Sequence, residues 1–243
     1  LASQRAAPMI GDSPAMQEVR AHIDAVGPTE TTVLILGESG SGKEMVARAI
    51  HEQSARAGRE LVAVDSCGLQ ENLFESELFG HERGAFTGAD RLKKGLIEEA
   101  AGGTLFLDEI GDIAPPIQAK LLRVMETGTF RRLGGTKTLV ADVRFLAATN
   151  RDIGRMVQEG QFRADLYFRL SRFVINVPPL RERREDIAPL SRHFVEMLTR
   201  FAPMEIAPEA MKILVDYDWP GSVRELRNAL ERAVIFARPE KTI

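Results

Sequence analysis

The chain has 243 residues, 44% hydrophobic and 28% charged, the composition of an ordinary globular protein built as one domain or as a core with a smaller satellite. Its 32 basic and 35 acidic side chains leave a formal charge of −3, which excludes an overall basic field for holding nucleic acid. The single cysteine, Cys67, excludes an internal disulfide; no apolar run is long enough to cross a bilayer, and a cytoplasmic protein without a membrane partner is expected.

In chain order, Ser13 followed by Pro14 is a helix start, with Ser13 as N-cap and proline at the first helical position. The run "TTVLIL" (31–36) is short, β-branched and bounded by Gly37, and predicts a buried strand, followed by a helix over "KEMVARAIHEQSARA". Further strands are expected at "ELVAVD" (60–65), "GTLFLDE" (103–109) and "VRFLAATN" (143–150), with a helix over 116–127. Strands alternating with helices predict an α/β fold whose parallel sheet is sandwiched between helices. Gly134-Gly135 within "TFRRLGGTKTLV" predicts a hairpin inserted before the last of these strands. Pro178-Pro179 ends this rhythm, and three helical patterns follow: "EDIAPLSRHFVEMLTRF", "PEAMKILVDY" and "SVRELRNALERAVIFA". The expected division is an α/β core over 1–177 and a small helical bundle over 178–243.

Two halves of a phosphate site are visible. "GESGSGK" comprises Gly37, Glu38, Ser39, Gly40, Ser41, Gly42 and Lys43 between a strand and a helix, the spacing of a phosphate loop. Glycines let backbone N–H groups curl around phosphate oxygens, and Lys43 reaches the outer phosphates. The next residue, usually Ser or Thr for Mg²⁺, is Glu44; either its carboxylate or the Ser41 hydroxyl could serve the metal. The second half is Asp108 and Glu109, adjacent carboxylates at the end of an apolar strand, where open α/β sheets bind ligands. Asp108 is expected to hold Mg²⁺ and Glu109 to polarise the attacking water. Together they point to hydrolysis of a nucleoside triphosphate, ATP being the expected one.

The stretch "GAFTGA" (Gly84, Ala85, Phe86, Thr87, Gly88, Ala89) is uncharged and lies between the charged shoulders "FGHER" and "DRLKKG". It reads either as a surface turn with one aromatic tucked back or as a tip that contacts another molecule.

Taken with "GESGSGKE", "ESELFGHERGAFTGA", "GGTLFLDEIGD", "FRADLYFRL", "PPLRERRED" and "WPGSVREL", the chain from residue 10 onward resembles the AAA+ ATPase domain of sigma-54-dependent transcription activators, the bacterial enhancer-binding proteins. The resemblance implies a P-loop AAA+ core with a helical lid. It makes Lys43 the Walker A lysine, Asp108 and Glu109 the Walker B pair, and Thr149 with Asn150 sensor I. Arg224 becomes sensor II, and Glu44 a habit of the family. Arg163 and Arg169 become arginine fingers that enter a neighbouring subunit's site in a hexameric or heptameric ring. Their six-residue spacing is about 240° of helix, so one is expected before the helix and one on it. GAFTGA becomes the contact with sigma-54 in the RNA polymerase holoenzyme, and DNA is met only through a separate domain, this chain being an excised centre. Asp65 departs from the family's asparagine and, facing Glu109, is expected to repel it. Cys67 is expected to be a small buried residue, Trp219 a packing anchor, and the four histidines show no metal spacing. Two rivals are another AAA+ machine and a DNA-binding module built on "PGSVRELRNALERAV".

Overall fold

The fold is given by a computed structural model that describes residues 9–68, 70–199 and 204–237. The chain ends counted in the expected core and bundle, and residues 200 and 201 of the first bundle pattern, lie outside the described residues.

The chain enters through α1 (Pro14–Val26), whose Ser13 hydroxyl accepts the Met16 amide at 3.4 Å, as an N-cap should. It continues through β1 (Val33–Leu36), α2 (Lys43–Glu52), β2 (Leu61–Asp65) and α3 (Glu71–Phe79). A short antiparallel pair, β3 (Gly80–His81) and β4 (Lys93–Lys94), precedes α4 (Leu96–Glu99) and β5 (Thr104–Asp108). Next come α5 (Pro115–Thr127), β6 (Thr129–Phe130), β7 (Leu139–Val140) and β8 (Arg144–Thr149). The remaining elements are α6 (Ile153–Gln158), α7 (Ala164–Leu170), β9 (Phe173–Asn176), α8 (Ile187–Leu198), α9 (Pro208–Asp216) and α10 (Ser222–Phe236).

The main sheet has the order β2-β5-β8-β1-β9. The pairs β2–β5, β5–β8 and β8–β1 are parallel, so Asp65, Asp108, Thr149 and Leu36 all finish at one edge. Strands β1, β5 and β8 are buried almost throughout, which is why they read as unbroken apolar runs rather than alternating ones. Residues such as Leu105, Leu107, Ile117, Leu121 and Leu166 form the core between sheet and helices; each such side chain contributes about 1.5–3 kcal/mol. Fully buried Arg144 donates to the carbonyls of Val26 (2.9 Å) and Gly27 (2.7 Å), satisfying the end of α1 from within the sheet.

Contacts divide the chain into two compact units. One holds Ile23–Leu36 and Val46–Ile175; the other holds Leu1–His22, Gly37–Met45 and Asn176–Ile243. The second unit has its own core of Leu180, Ile187, Leu190, Leu226, Leu230 and Trp219. Trp219 is an anchor there, its indole N–H donating to the Leu214 carbonyl at 2.7 Å.

Three expectations change. "FVIN" forms a fifth sheet strand, β9, hidden in the sequence because three apolar residues and an asparagine just before a proline pair carry little signal. The inserted hairpin exists, but only Thr129–Phe130 pair with Leu139–Val140, leaving 131–138 as a loop. Cys67 is exposed rather than buried, because β2 ends at Asp65 and the chain turns outward past the sheet edge.

Candidate nucleotide site and contact loop

The phosphate loop runs on directly from β1. Gly37 leaves no room for a side chain, since a Cβ there would lie 2.8 Å from both the Ser41 hydroxyl and the Val177 carbonyl. Gly40 and Gly42 take φ of +78° and +109°, which L side chains rarely adopt. Lys43, buried at the start of α2, donates to the carbonyls of Gly37 (3.1 Å) and Glu38 (3.4 Å). Three arginines of the same unit brace this loop. Arg181 grips the Glu38 carboxylate with two bonds of 2.6 and 2.7 Å and holds it below the usual carboxylate range. Arg224 reaches the Ser39 hydroxyl at 3.0 Å, and its amide donates to the Gly40 carbonyl at 3.4 Å. Arg183 donates to the Ser41 carbonyl at 2.7 Å. The Ser41 hydroxyl is buried without a hydrogen-bond partner among the described residues. Buried hydroxyls are normally paired, so a cradle of glycines with a lysine and an orphan hydroxyl fits a polyphosphate and its cation.

At the sheet edge, Glu109 follows β5 with φ 51° and ψ 47°, a left-handed backbone uncommon for a non-glycine residue. Its carboxylate accepts the Asn150 amide at 3.1 Å, just past the end of β8, while Asp108 Oδ1 accepts the Glu109 amide at 3.0 Å. Thr149 is fully buried and its hydroxyl accepts the Arg151 amide at 3.1 Å. Asp65 accepts the Cys67 amide at 2.8 Å. The Cys67 thiol donates to Asp112 at 3.1 Å; that bond chiefly, with burial and the nearby carboxylates, pushes it up to about 11. Among the described residues no His, Cys, Asp or Glu cluster of three or more could hold a metal alone. Magnesium needs no such cluster where waters and substrate phosphates supply most of its oxygen ligands.

The GAFTGA loop is closed at its base by the β3–β4 pair and inside by bonds from Gly84 N to Ala89 O (2.8 Å) and Ala89 N to Phe86 O (3.0 Å). Phe86 is 45% exposed and meets His81 edge-on at 5.0 Å; Thr87 and Gly88 are exposed, whereas Ala89 is buried. The loop is tied to the hairpin loop by Glu82 N to Leu133 O (3.0 Å) and Leu133 N to Gly80 O (2.9 Å). Arg132 bridges Glu82 (2.9 Å) and Glu98 (2.6 Å), lowering the Glu98 carboxyl by that bond above all. Arg163 precedes α7, paired with Asp165 at 2.7 Å, and Arg169 lies on the helix, donating to the Met125 carbonyl at 2.8 Å.

Residues 9–176 match the family profile of the sigma-54 interaction domain, and residues 181–243 that of the AAA+ ATPase lid domain. The chain belongs to the sigma-54 interaction domain family. Transcriptional regulatory protein ZraR of Klebsiella oxytoca is 53% identical over 235 residues, covering 96% of this chain and 53% of that protein. The Nif-specific regulatory protein of Azospirillum brasilense is 54% identical over 228 residues, covering 93% of this chain and 36% of that protein. A crystal structure of NtrX from Brucella abortus in complex with ATP matches with a TM-score of 0.90 at 42% identity, covering 96% of this chain and 51% of that one. The chain thus spans about half the length, or less, of these relatives.

In this sigma-54 interaction domain with its AAA+ lid, Lys43 opens α2, Arg224 lies on α10, and Asp108 and Thr149 end β5 and β8. Two features escape the motifs. The left-handed Glu109 has no sequence signal, since glutamate is not a residue that advertises positive φ. Arg181 and Arg183 sit in "PPLRERRED", which carries part of the family resemblance but gives neither arginine a role.

Proposed function

We propose that this domain is a ring-forming, Mg²⁺-dependent ATPase that couples ATP hydrolysis to remodelling of the sigma-54 RNA polymerase closed complex through its GAFTGA loop. The observation that carries the hydrolytic half is Glu109, held in a left-handed backbone with its carboxylate on the Asn150 amide. An oriented carboxylate at the end of a buried strand suits a water-activating base. The cofactor supplies a phosphoanhydride whose cleavage releases the free energy. The phosphate loop from Gly37 to Lys43 binds the phosphates, with Arg224 as the lid's contribution. Asp108 would hold the cation, assisted by Glu44 or Ser41, and the Glu109 carboxylate would take the proton of the attacking water as its oxygen joins the terminal phosphorus and the bridging oxygen leaves with ADP. Thr149 and Asn150 register the terminal phosphate, and Asp65 stands at the adjacent strand end as its switch. Arg163 and Arg169 complete the site of a neighbouring copy, so residues 1–177 carry the catalytic subdomain and 178–243 the lid. Phe86 and Thr87 are exposed at the tip, as a contact surface must be. DNA is reached through a part of the longer protein.

A panel of variants tests both halves. Lys43→Ala should lose ATP binding, Glu109→Ala should bind ATP but hydrolyse it at least a hundredfold more slowly, and Thr87→Ala should hydrolyse ATP normally yet lose capture of sigma-54. Wild-type hydrolysis by folded Glu109→Ala removes the catalytic assignment, and undiminished sigma-54 capture by Thr87→Ala returns the loop to a surface turn.

A further inference from the structure

Arg183 occupies an unusual place for a cation. It is 4% exposed, and its ordinary charged state is disfavoured by burial, with attraction to Asp186 acting in the opposite sense. The Asp186 carboxylate is itself taken up by the Ser13 amide (2.9 Å) and hydroxyl (2.6 Å). The guanidinium donates to the Ser41 carbonyl at 2.7 Å and to the soft Met16 sulfur at 2.8 Å. Its Nε has no partner among the described residues. A buried cation facing neutral acceptors is unfavourable until opposite charge arrives. Beside it, the Ser41 hydroxyl is equally buried and equally unpartnered.

The peptide that Arg183 grips has a second end. In a trans peptide the C=O and N–H point in opposite directions, so fixing the Ser41 carbonyl outward fixes the Gly42 N–H inward. Donation to a carbonyl also polarises its peptide and strengthens the N–H at the other end as a donor. Gly42, at φ +109° with open space beside it, can swing unless that carbonyl is held.

We propose that Arg183 is a positioning residue of the nucleotide site, aiming the Gly42 N–H at the phosphates and tying the order of the lid to the phosphate charge bound. This rests on the ATP-binding reading above. Arginine is required because one planar fork spans the loop and α1 together, which a lysine cannot do. The effect is selective: contacts to the base and ribose are untouched, so the contribution grows from AMP to ADP to ATP.

The test uses the wild-type chain, Arg183→Lys and Arg183→Met, with ATP, ADP and AMP affinities measured by displacement of a fluorescent nucleotide. Thermal unfolding is followed by Trp219, the only tryptophan, which lies in the lid core. Arg183→Met should lose about tenfold in ATP affinity and little in AMP affinity, with Arg183→Lys intermediate, and the ATP-induced rise in Trp219 melting temperature should shrink. An equal loss for ATP and AMP would mark Arg183 as a structural prop, and unchanged ATP affinity in folded Arg183→Met would also overturn the proposal. If the methionine variant does not fold, the wild type decides: its melting temperature must rise in the order AMP, ADP, ATP, and an equal rise for all three overturns the role. A wild-type chain that binds no ATP overturns the nucleotide reading as well, whereas the other adverse results remove Arg183 alone.

Discussion

Replacing Gly40 by alanine separates the lid's grip on the phosphate loop from the loop's own shape. A Cβ on Gly40 would lie 2.4 Å from the Gly221 carbonyl and 2.8 Å from the Arg224 Cβ, neither of which can rotate away. Relief requires the start of α10 to retreat, breaking the Arg224–Ser39 bond and the amide bond to Gly40. Two such bonds at about 1 kcal/mol each, with about 1–2 kcal/mol for alanine at positive φ, give on the order of 3–4 kcal/mol. Gly42→Ala is the control: its φ is also positive, but a Cβ there meets nothing within 4 Å, so it stresses the loop without touching α10. Followed by Trp219 fluorescence, Gly40→Ala should lower the lid's melting temperature by roughly 10 °C, and Gly42→Ala, which carries only the cost of alanine at positive φ, by no more than about half as much while still weakening nucleotide binding. If the two variants melt within a degree or two of each other, the close approach of α10 to the loop is not what positions Arg224.

Two further outcomes follow from titrating groups. Cys67 is exposed, yet its thiol is pushed up to about 11 chiefly by Asp112, so alkylation at pH 7 should run roughly a hundredfold slower than for an ordinary thiol; Asp112→Asn should accelerate it, and an unchanged rate refutes the assignment. His51 is buried between the Thr104 hydroxyl (2.9 Å) and the Arg59 carbonyl (3.2 Å), and burial above all holds it below its ordinary 6.5. As pH falls through 6.5 the unfolded chain takes up the proton first, so this contribution is whole above that pH and is lost below it, by at most about 1.4 kcal/mol per pH unit. Urea midpoints should therefore fall less between pH 7.5 and 5.5 for His51→Gln than for wild type, and equal falls would exclude His51 as the source.

Legibility followed the length scale of the physics. Strands β1, β5 and β8 are buried on both faces, so their apolar runs could be seen; β9 has four residues beside a proline pair and could not. The phosphate loop is dictated by local backbone needs, and glycine spacing states them openly. Glu109's left-handed turn and the Arg183–Ser41 contact depend on residues brought together by folding, the latter across 142 positions of sequence, and no local pattern encodes them. Cys67 departs from cysteine's general preference for the interior because it lies just beyond a strand end.

The main-chain bonds between the GAFTGA loop and the hairpin loop also bear on engineering. Because Glu82, Leu133 and Gly80 join the two loops through backbone atoms, most side chains along 131–138 can be exchanged without severing the joint. Arg132 and Gly134 are exceptions: the Arg132 guanidinium holds Glu82 at 2.9 Å and Glu98 at 2.6 Å, and a Cβ on Gly134 would lie 2.8 Å from the Ala85 Cβ. A graft of the tip onto another scaffold therefore has to carry two discontinuous pieces, Gly80–Lys94 and Thr129–Val140, as a single cassette; the six-residue motif moved by itself would leave its anchorage behind.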